Sequence, residues 1–259
     1  MNAICDDLTA EHDDFDRIVG ALDVDEWDLA TPSPGWMVRD QISHLWFFDQ
    51  RALLALTDAE GFAADTAVLM KSGGTDTSIR PGREMTAAAL LDAWRAGRSA
   101  LVAAARGVDP AARIPWYGPA MGARSFITAR LMETWAHGQD VVDAVGASRE
   151  PSARLRHVAH IGVGARRYSY RINQLELPDS DVYVGLDSPA GELWEWGTPG
   201  ADSVTGSAID FCLAVTQRRA LADTSLTIRG ASAVEWMSIA QAFAGGPGKG
   251  RDVGAFRGR

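Results

Sequence analysis

A helical apolar rhythm runs through the first half of this 259-residue chain and stops near residue 148, and it constrains the fold more than any other feature. Over residues 3–22, Leu8, Phe15, Ile18, Val19 and Leu22 recur at spacings of three, four and seven, which sets one helix face towards a core and leaves a carboxylate-rich face for water. Thr31-Pro32-Ser33-Pro34-Gly35-Trp36 cannot continue a helix, and the period resumes over residues 38–56 through Ile42, Leu45, Trp46 and Leu53. Two more long segments follow. Residues 85–106 turn Leu90, Leu91, Trp94, Leu101 and Val102 inward, and residues 123–145 do so with Phe126, Leu131, Met132, Trp135, Val141 and Val142. Residues 59–69 predict a shorter helix, followed by the turn-rich Ser72-Gly73-Gly74-Thr75-Asp76. Four long amphipathic helices with polar connections predict a four-helix bundle.

After Gly146 the texture changes. Residues 151–175 predict one further helix, whereas residues 181–186 and 193–196 are short, β-prone and bounded by Pro, Gly, Asp and Ser. Residues 202–205 and 225–228 predict two more strands, with helices over residues 207–220 and 233–243. The expected fold class is α+β: a bundle over residues 1–148, then a smaller mixed α/β domain over residues 149–259. Gly245-Gly246-Pro247-Gly248-Lys249-Gly250-Arg251 has the wrong glycine spacing for a phosphate-binding loop and reads as a flexible end.

With 25 basic against 34 acidic residues the net charge is -9, so attraction to nucleic acid is not expected. Cys5 and Cys212 cannot build the disulfide framework of a small secreted domain, and no apolar run approaches the roughly 20 residues of a membrane span. The acidic start Met1-Asn2-Ala3-Ile4-Cys5-Asp6-Asp7 lacks the basic and apolar segments of a signal peptide, and the expectation is a cytoplasmic protein without a membrane partner.

The sharpest chemical feature is Glu133-Thr134-Trp135-Ala136-His137 within the fourth helix. Residues four apart carry Cβ atoms about 5–6 Å from each other on one face, so both heads reach one ion. A carboxylate beside an apolar stripe must be paired, neutralised or metal-bound to offset its desolvation. A Glu–His hydrogen bond or a solvated face would account for this pair alone. His44, framed by Ile42, Leu45, Trp46 and Phe47 on the second helix, adds a third donor on the buried side. Two imidazoles and a carboxylate suit a divalent ion and leave coordination positions open for water or substrate. Asp40 lies one turn before His44 and Asp140 one turn beyond His137, where each would orient an imidazole or remain ordinary helix charge. His12, among Glu11, Asp13 and Asp14, reads as solvated, and His157 with His160 as structural. Cys5 reads as part of a mobile terminus and Cys212 as an inert core thiol.

Pro34-Gly35-Trp36-Met37-Val38-Arg39-Asp40-Gln41-Ile42-Ser43-His44-Leu45 resembles the proline-glycine-tryptophan, valine-arginine-aspartate, histidine-leucine signature of the DinB-like bundles that include mycothiol-dependent maleylpyruvate isomerase, and Glu133 with His137 resembles that family's later Glu-x-x-x-His segment. The resemblance implies an N-terminal bundle that holds a divalent metal, zinc first among candidates, through His44, Glu133 and His137, followed by a smaller α/β domain. Val204-Thr205-Gly206-Ser207-Ala208-Ile209-Asp210 leading to Gln217-Arg218 resembles the family's C-terminal helix ending in an arginine near the active site, which makes Arg218 a catalytic candidate, with Arg219 as its alternate. Met37 stands where the family often has Thr, which removes a side-chain cap worth typically ~1 kcal/mol. The C-terminal half, with Trp194-Glu195-Trp196 and residues 236–243, resembles a subgroup described only as metal-binding.

What the resemblance implies functionally is a metalloenzyme using the low-molecular-weight thiol mycothiol on a small-molecule electrophile, by thiol addition, isomerisation or S-transfer. Two alternatives stay open at this point. One is a hydrolase whose metal lowers the pKa of bound water; the other is a non-catalytic protein holding a metal or an apolar ligand against Trp194, Trp196 and Trp236.

Overall fold

The computed structural model describes residues 1–71 and 76–255; of the turn-rich stretch expected over residues 72–76, residues 72–75 lie outside the described residues and Asp76 begins a helix. The chain forms two compact units, Met1–Ala147 and Ser148–Arg259.

The first unit is built on α1 (Asn2–Val19), α2 (Val38–Thr57), α5 (Ala87–Arg106) and α6 (Ala123–Val145), with the shorter α3 (Ala59–Leu69) and α4 (Asp76–Arg83) between α2 and α5. α2 packs against α5, α4 and α6, and α1 against α6 and α5. The apolar stripes meet where the spacing sets them: Phe15, Val19, Ile42, Leu45, Leu90, Leu91, Trp94 and Val141 share one core, which Trp27 closes from a short 3-10 turn at Val24–Asp28. Thr86 caps α5 by accepting from the Ala89 N–H at 3.2 Å, and Gly146, in the left-handed region at φ 67°, ends α6.

Two elements here have no periodic signature in the sequence. α4 contains Pro81 and is too short to show a stripe, yet it docks on the site-bearing helix. Strands β1 (Arg113–Ile114) and β2 (Met121–Gly122) pair antiparallel between α5 and α6 and raise a tip that carries Trp116 and Tyr117.

In the second unit, β3 (Tyr183–Asp187), β4 (Leu193–Trp196), β5 (Ser203–Ser207) and β6 (Thr227–Arg229) form one sheet of order β4-β3-β5-β6, in which β3 and β5 run parallel and the outer pairs antiparallel. The single helix expected over residues 151–175 is two, α7 (Leu155–Gly164) and α8 (Arg166–Ile172), broken at Ala165 after Gly164. Gly162 lets α9 (Ala208–Val215) approach α7, since a Cβ there would lie 2.7 Å from Val215 Cγ2. α9 is shorter than expected because Gln217 adopts φ 58°, a turn that no right-handed helix continues. The helix expected over residues 233–243 is α10 (Ala231–Ile239). Trp194 and Trp236 are buried core side chains, which removes them as walls of an open apolar ligand site. The tail expected to be flexible is tied down at Gly248, whose N–H donates to Gln241 Oε1 at 2.8 Å.

The close approach of α4 to α2 depends on one glycine. Ser43 Oγ donates to the Ser78 carbonyl at 2.8 Å and accepts from the Gly82 N–H at 3.0 Å, and a Cβ on Gly82 would fall 2.4 Å from Ser43 Cβ. Gly82→Ala is therefore expected to destabilise the bundle unit by about 1–3 kcal/mol through overpacking, read as a lowered midpoint in chemical denaturation; an unchanged midpoint would contradict this packing.

Candidate metal centre

The site begins with how α2 starts. Met37 offers no side-chain cap, and the first turn is held instead from inside the helix: Asp40 Oδ2 accepts from the Met37 N–H at 2.9 Å. The fully buried Asp40 carboxylate also receives Arg83 Nε at 2.8 Å and Nη2 at 2.7 Å, and Arg83 Nη2 donates on to the Gly35 carbonyl at 3.2 Å. One fork thus ties together α4, the residue 31–37 loop and the first turn of α2, and fixes where His44 emerges.

His44, Glu133 and His137 each present a donor atom within 4.8 Å of the other two. The imidazole centres of His44 and His137 are 4.5 Å apart, and His137 Nε2 is 3.4 Å from Glu133 Oε2. His137 is buried, while His44 and Glu133 are half-buried. A tetrahedral ion with bonds of about 2.0–2.2 Å spaces its ligand atoms about 3.3–3.6 Å apart, so side-chain adjustments of about 1 Å close these three onto one centre.

The hydrogen bonds around His137 assign its tautomer. Thr31 Oγ1 donates to the Trp36 carbonyl at 2.9 Å, so it accepts from Gln41 Nε2, also at 2.9 Å. That turns Gln41 Oε1 towards His137 Nδ1, 2.6 Å away, which must then carry the proton. Nε2 then faces the Glu133 carboxylate oxygen at 3.4 Å. Two electron-rich atoms in that relation call for a cation between them, a proton or a metal ion, and the half-buried third donor His44 favours the larger one. His44 is held the same way, by a 2.8 Å contact between its Nδ1 and Ser78 Oγ.

Gln41 and Ser78 are the neutral side chains in contact with the Nδ1 atoms of His137 and His44. Asp40 is committed to Arg83 and the Met37 N–H, and Asp140, fully buried, accepts from Ser33 Oγ at 3.0 Å. Neither neutral partner carries a charge or ligand-type signal in the sequence; Gln41 was findable only as a polar residue one turn before His44 on its buried side. Arg218 belongs to the second unit, where it is buried, donates from Nη1 to the Thr216 carbonyl at 2.6 Å and lies 5.9 Å from the Phe243 ring. Arg219 Nη1 donates to the Arg218 carbonyl at 2.7 Å.

Aromatic rings surround the donors. Trp36 stacks on His137 at 5.9 Å and 14°, and lies 5.1 Å from His44. Phe48, one turn after His44, is 4.7 Å from it. Such rings displace water from the neighbourhood of the donors, where electrostatic interactions gain strength.

Beyond the ligands, the same α2–α6 seam holds a buried ion pair. Arg130 donates to Asp49 Oδ1 from Nε at 3.1 Å and from Nη2 at 2.9 Å. Burial pushes the Asp49 carboxyl above its ordinary range against the pull of Arg130. His12, expected on a solvated face, packs edge-on against Trp94 with 2 % exposure, and burial, then Arg98 and Arg130, hold its pKa well below the usual imidazole value. Leu8, His12, Phe15 and Val19 continue one stripe at spacings of four, three and four, and that signal outranks the acidic neighbours. Cys5 and Cys212 are free thiols, both fully buried, and burial raises both above the ordinary thiol range, so neither supplies a thiolate at neutral pH. Cys5 belongs to ordered α1 rather than to a mobile end.

A helix bundle carrying a two-imidazole, one-carboxylate cluster defines the class, a candidate divalent-metal protein. The family model of the mycothiol maleylpyruvate isomerase N-terminal domain matches residues 8–142, and the chain belongs to that family. It is 45% identical over 248 residues to the uncharacterised proteins Rv0036c and MT0041 of Mycobacterium tuberculosis strains H37Rv and CDC 1551, over 95% of this chain and 96% of each relative. Among solved structures it is similar in fold to the mycothiol-dependent maleylpyruvate isomerase, with TM-score 0.59 and 16% identity over 84% of this chain and 89% of that one. It is also similar to a histidine-to-alanine variant of that enzyme, with TM-score 0.62 and 17% identity over 88% of this chain and 92% of the other.

Two outcomes are expected. Gln41→Leu frees the His137 tautomer and is expected to weaken metal affinity about 10–100-fold in a chelator competition titration; unchanged affinity would contradict the orienting role. Asp49→Leu alone strands Arg130 in the core and is expected to cost about 3–5 kcal/mol in urea unfolding, whereas Asp49→Leu with Arg130→Leu restores most of that loss.

Proposed function

We propose that this chain is a divalent-metal-dependent enzyme of the cytoplasm that uses a low-molecular-weight thiol, mycothiol, on a small electrophilic substrate, by thiol addition, isomerisation or S-transfer. The observation that carries the reading is the convergence of His44, Glu133 and His137, with His137 Nδ1 turned to Gln41 and Nε2 towards Glu133. Membership of the family supports the thiol, and two buried free cysteines suit a reducing compartment. His44, Glu133 and His137 would hold the ion, with zinc the first candidate for this donor set. When bound, the ion supplies a positive charge that favours the thiolate form of a coordinating cosubstrate at neutral pH.

The chain's own residues then act by position. Gln41 and Ser78 hold the two imidazoles with their Nδ1 atoms turned away from the centre, and the Asp40–Arg83 fork holds α2 against α4. Trp36 and Phe48 limit water beside the donors. Addition forms a bond from the thiol sulfur to an electrophilic carbon; isomerisation follows when that bond breaks again after rotation about the saturated carbon–carbon bond.

Elemental analysis of the purified protein is expected to find about one divalent ion per chain, the number such a donor set holds, and His44→Ala and Glu133→Ala are expected to lose most of it together with mycothiol consumption. Turnover of an electrophile at the same rate without any thiol would overturn the proposal.

A further inference from the structure

We propose that the bundle's face of this site selects an uncharged, planar, aryl-conjugated electrophile, whose reactive carbon sits beside His44 while its ring lies along Phe48, Trp116 and Tyr117. The inference rests on the thiol-enzyme reading and adds the substrate class. His44, Phe48, Trp116 and Tyr117 are all half-buried, so these rings border the site without being closed into the core. The rings are contiguous with His44: Phe48 lies 4.7 Å from it, with Tyr117 edge-on at 5.8 Å and Trp116 at 6.3 Å from Phe48. That span matches a single aryl ring joined to a short conjugated chain.

The wall is built in advance. Trp116 is stacked on Phe62 at 5.5 Å and 7°, and meets Phe126 edge-on at 5.1 Å, so its indole is held from two sides by the bundle. A ring already fixed loses little freedom on contact with a ligand. Burial pushes the Tyr117 phenol up to about 12, so this residue stays neutral at any working pH.

Charge points the same way. Arg51, whose guanidinium lies 3.4 Å over the Phe47 ring, is bonded to Asp65 at 2.9 and 3.0 Å. Arg83 is spent on Asp40, and Arg130 on Asp49. These three guanidiniums are each matched by a carboxylate, so an anionic substrate gains little from them while an aromatic one gains from the rings. Offset or edge contacts at these ring separations are each worth a few-fold in binding.

With such an enone the step is conjugate addition. The thiol sulfur bonds to the β-carbon, the C=C π pair moves to the α-carbon as an enolate, and the proton released by the thiol ends on that carbon, so the adduct is the sum of the two reactants and no oxidant is consumed.

The test uses metal-loaded full-length protein with mycothiol, and compares 4-phenylbut-3-en-2-one with maleate as electrophiles. Thiol loss is followed in one arm and tryptophan-fluorescence titration of each compound in the other. Expected are at least tenfold higher kcat/KM for the aryl enone, and a five- to tenfold rise in its KM and Kd for Phe48→Ala and Trp116→Ala, with metal content unchanged and substantial recovery in Trp116→Phe. Preference for maleate, or equal weakening of both compounds by Phe48→Ala, would overturn the substrate class while leaving the thiol enzyme standing. If neither compound consumes thiol, the thiol-enzyme reading fails, and the binding arm still decides the wall: an aryl-enone Kd that Trp116→Ala does not change rules it out.

Discussion

An imidazole nitrogen set 3.4 Å from a carboxylate oxygen in a helix bundle, with a second imidazole beside them, is the constraint on which the site depends. Burial makes that arrangement unfavourable unless a cation occupies the gap. A proton on Nε2 would answer the His137–Glu133 pair alone, whereas an ion would engage the His44 head as well. An ion shared by all three heads uses every donor. The directional chain from Trp36 through Thr31 and Gln41 to His137 runs through the loop before α2, so that loop belongs to the site although none of its residues is a metal ligand candidate.

The seam between α2 and α6 carries three polar layers in succession: Gln41 with His137, His44 with Glu133, and Asp49 with Arg130. Polar groups at this depth are costly as isolated features, but a stack of facing pairs is matched in one register, and a slip of either helix by a turn mismatches each layer. The apolar core around Ile42, Leu45 and Trp94 drives the helices together, while the polar seam specifies how they align. Function and fold uniqueness therefore draw on the same helix pair.

Much of this was legible before any coordinates. The long helices of the bundle declare themselves through the spacing of Leu, Ile, Trp and Phe, and residues 59–69 and 123–145 coincide with α3 and α6. Glu133 and His137 are readable as neighbours because spacing by four has only one geometric meaning on a helix, and His44 stands among core residues although its own side chain is half-buried. What escaped has physical reasons. α4, with Pro81 and only eight residues, shows no stripe, and so its gifts to the site, Ser78 and Arg83, went unseen. Carboxylates such as Asp40 and Asp140 stand out in a sequence, whereas the neutral amide of Gln41 and the hydroxyl of Ser78, which contact the two imidazoles, do not. His12 was masked by its acidic neighbours although it sits in the inward stripe. Strands of two residues, as in the β1–β2 hairpin that lifts Trp116 and Tyr117, are too short for any periodicity to register.

The most direct test of the central claim is X-ray absorption at the metal edge of zinc-loaded protein, free of added thiol. The account predicts a first shell of nitrogen and oxygen alone at about 2.0–2.1 Å, with the outer-shell scattering of two imidazoles. A shell containing sulfur at about 2.3 Å, or one with fewer than two imidazoles, would contradict it, because then His44, Glu133 and His137 would not be the ligands.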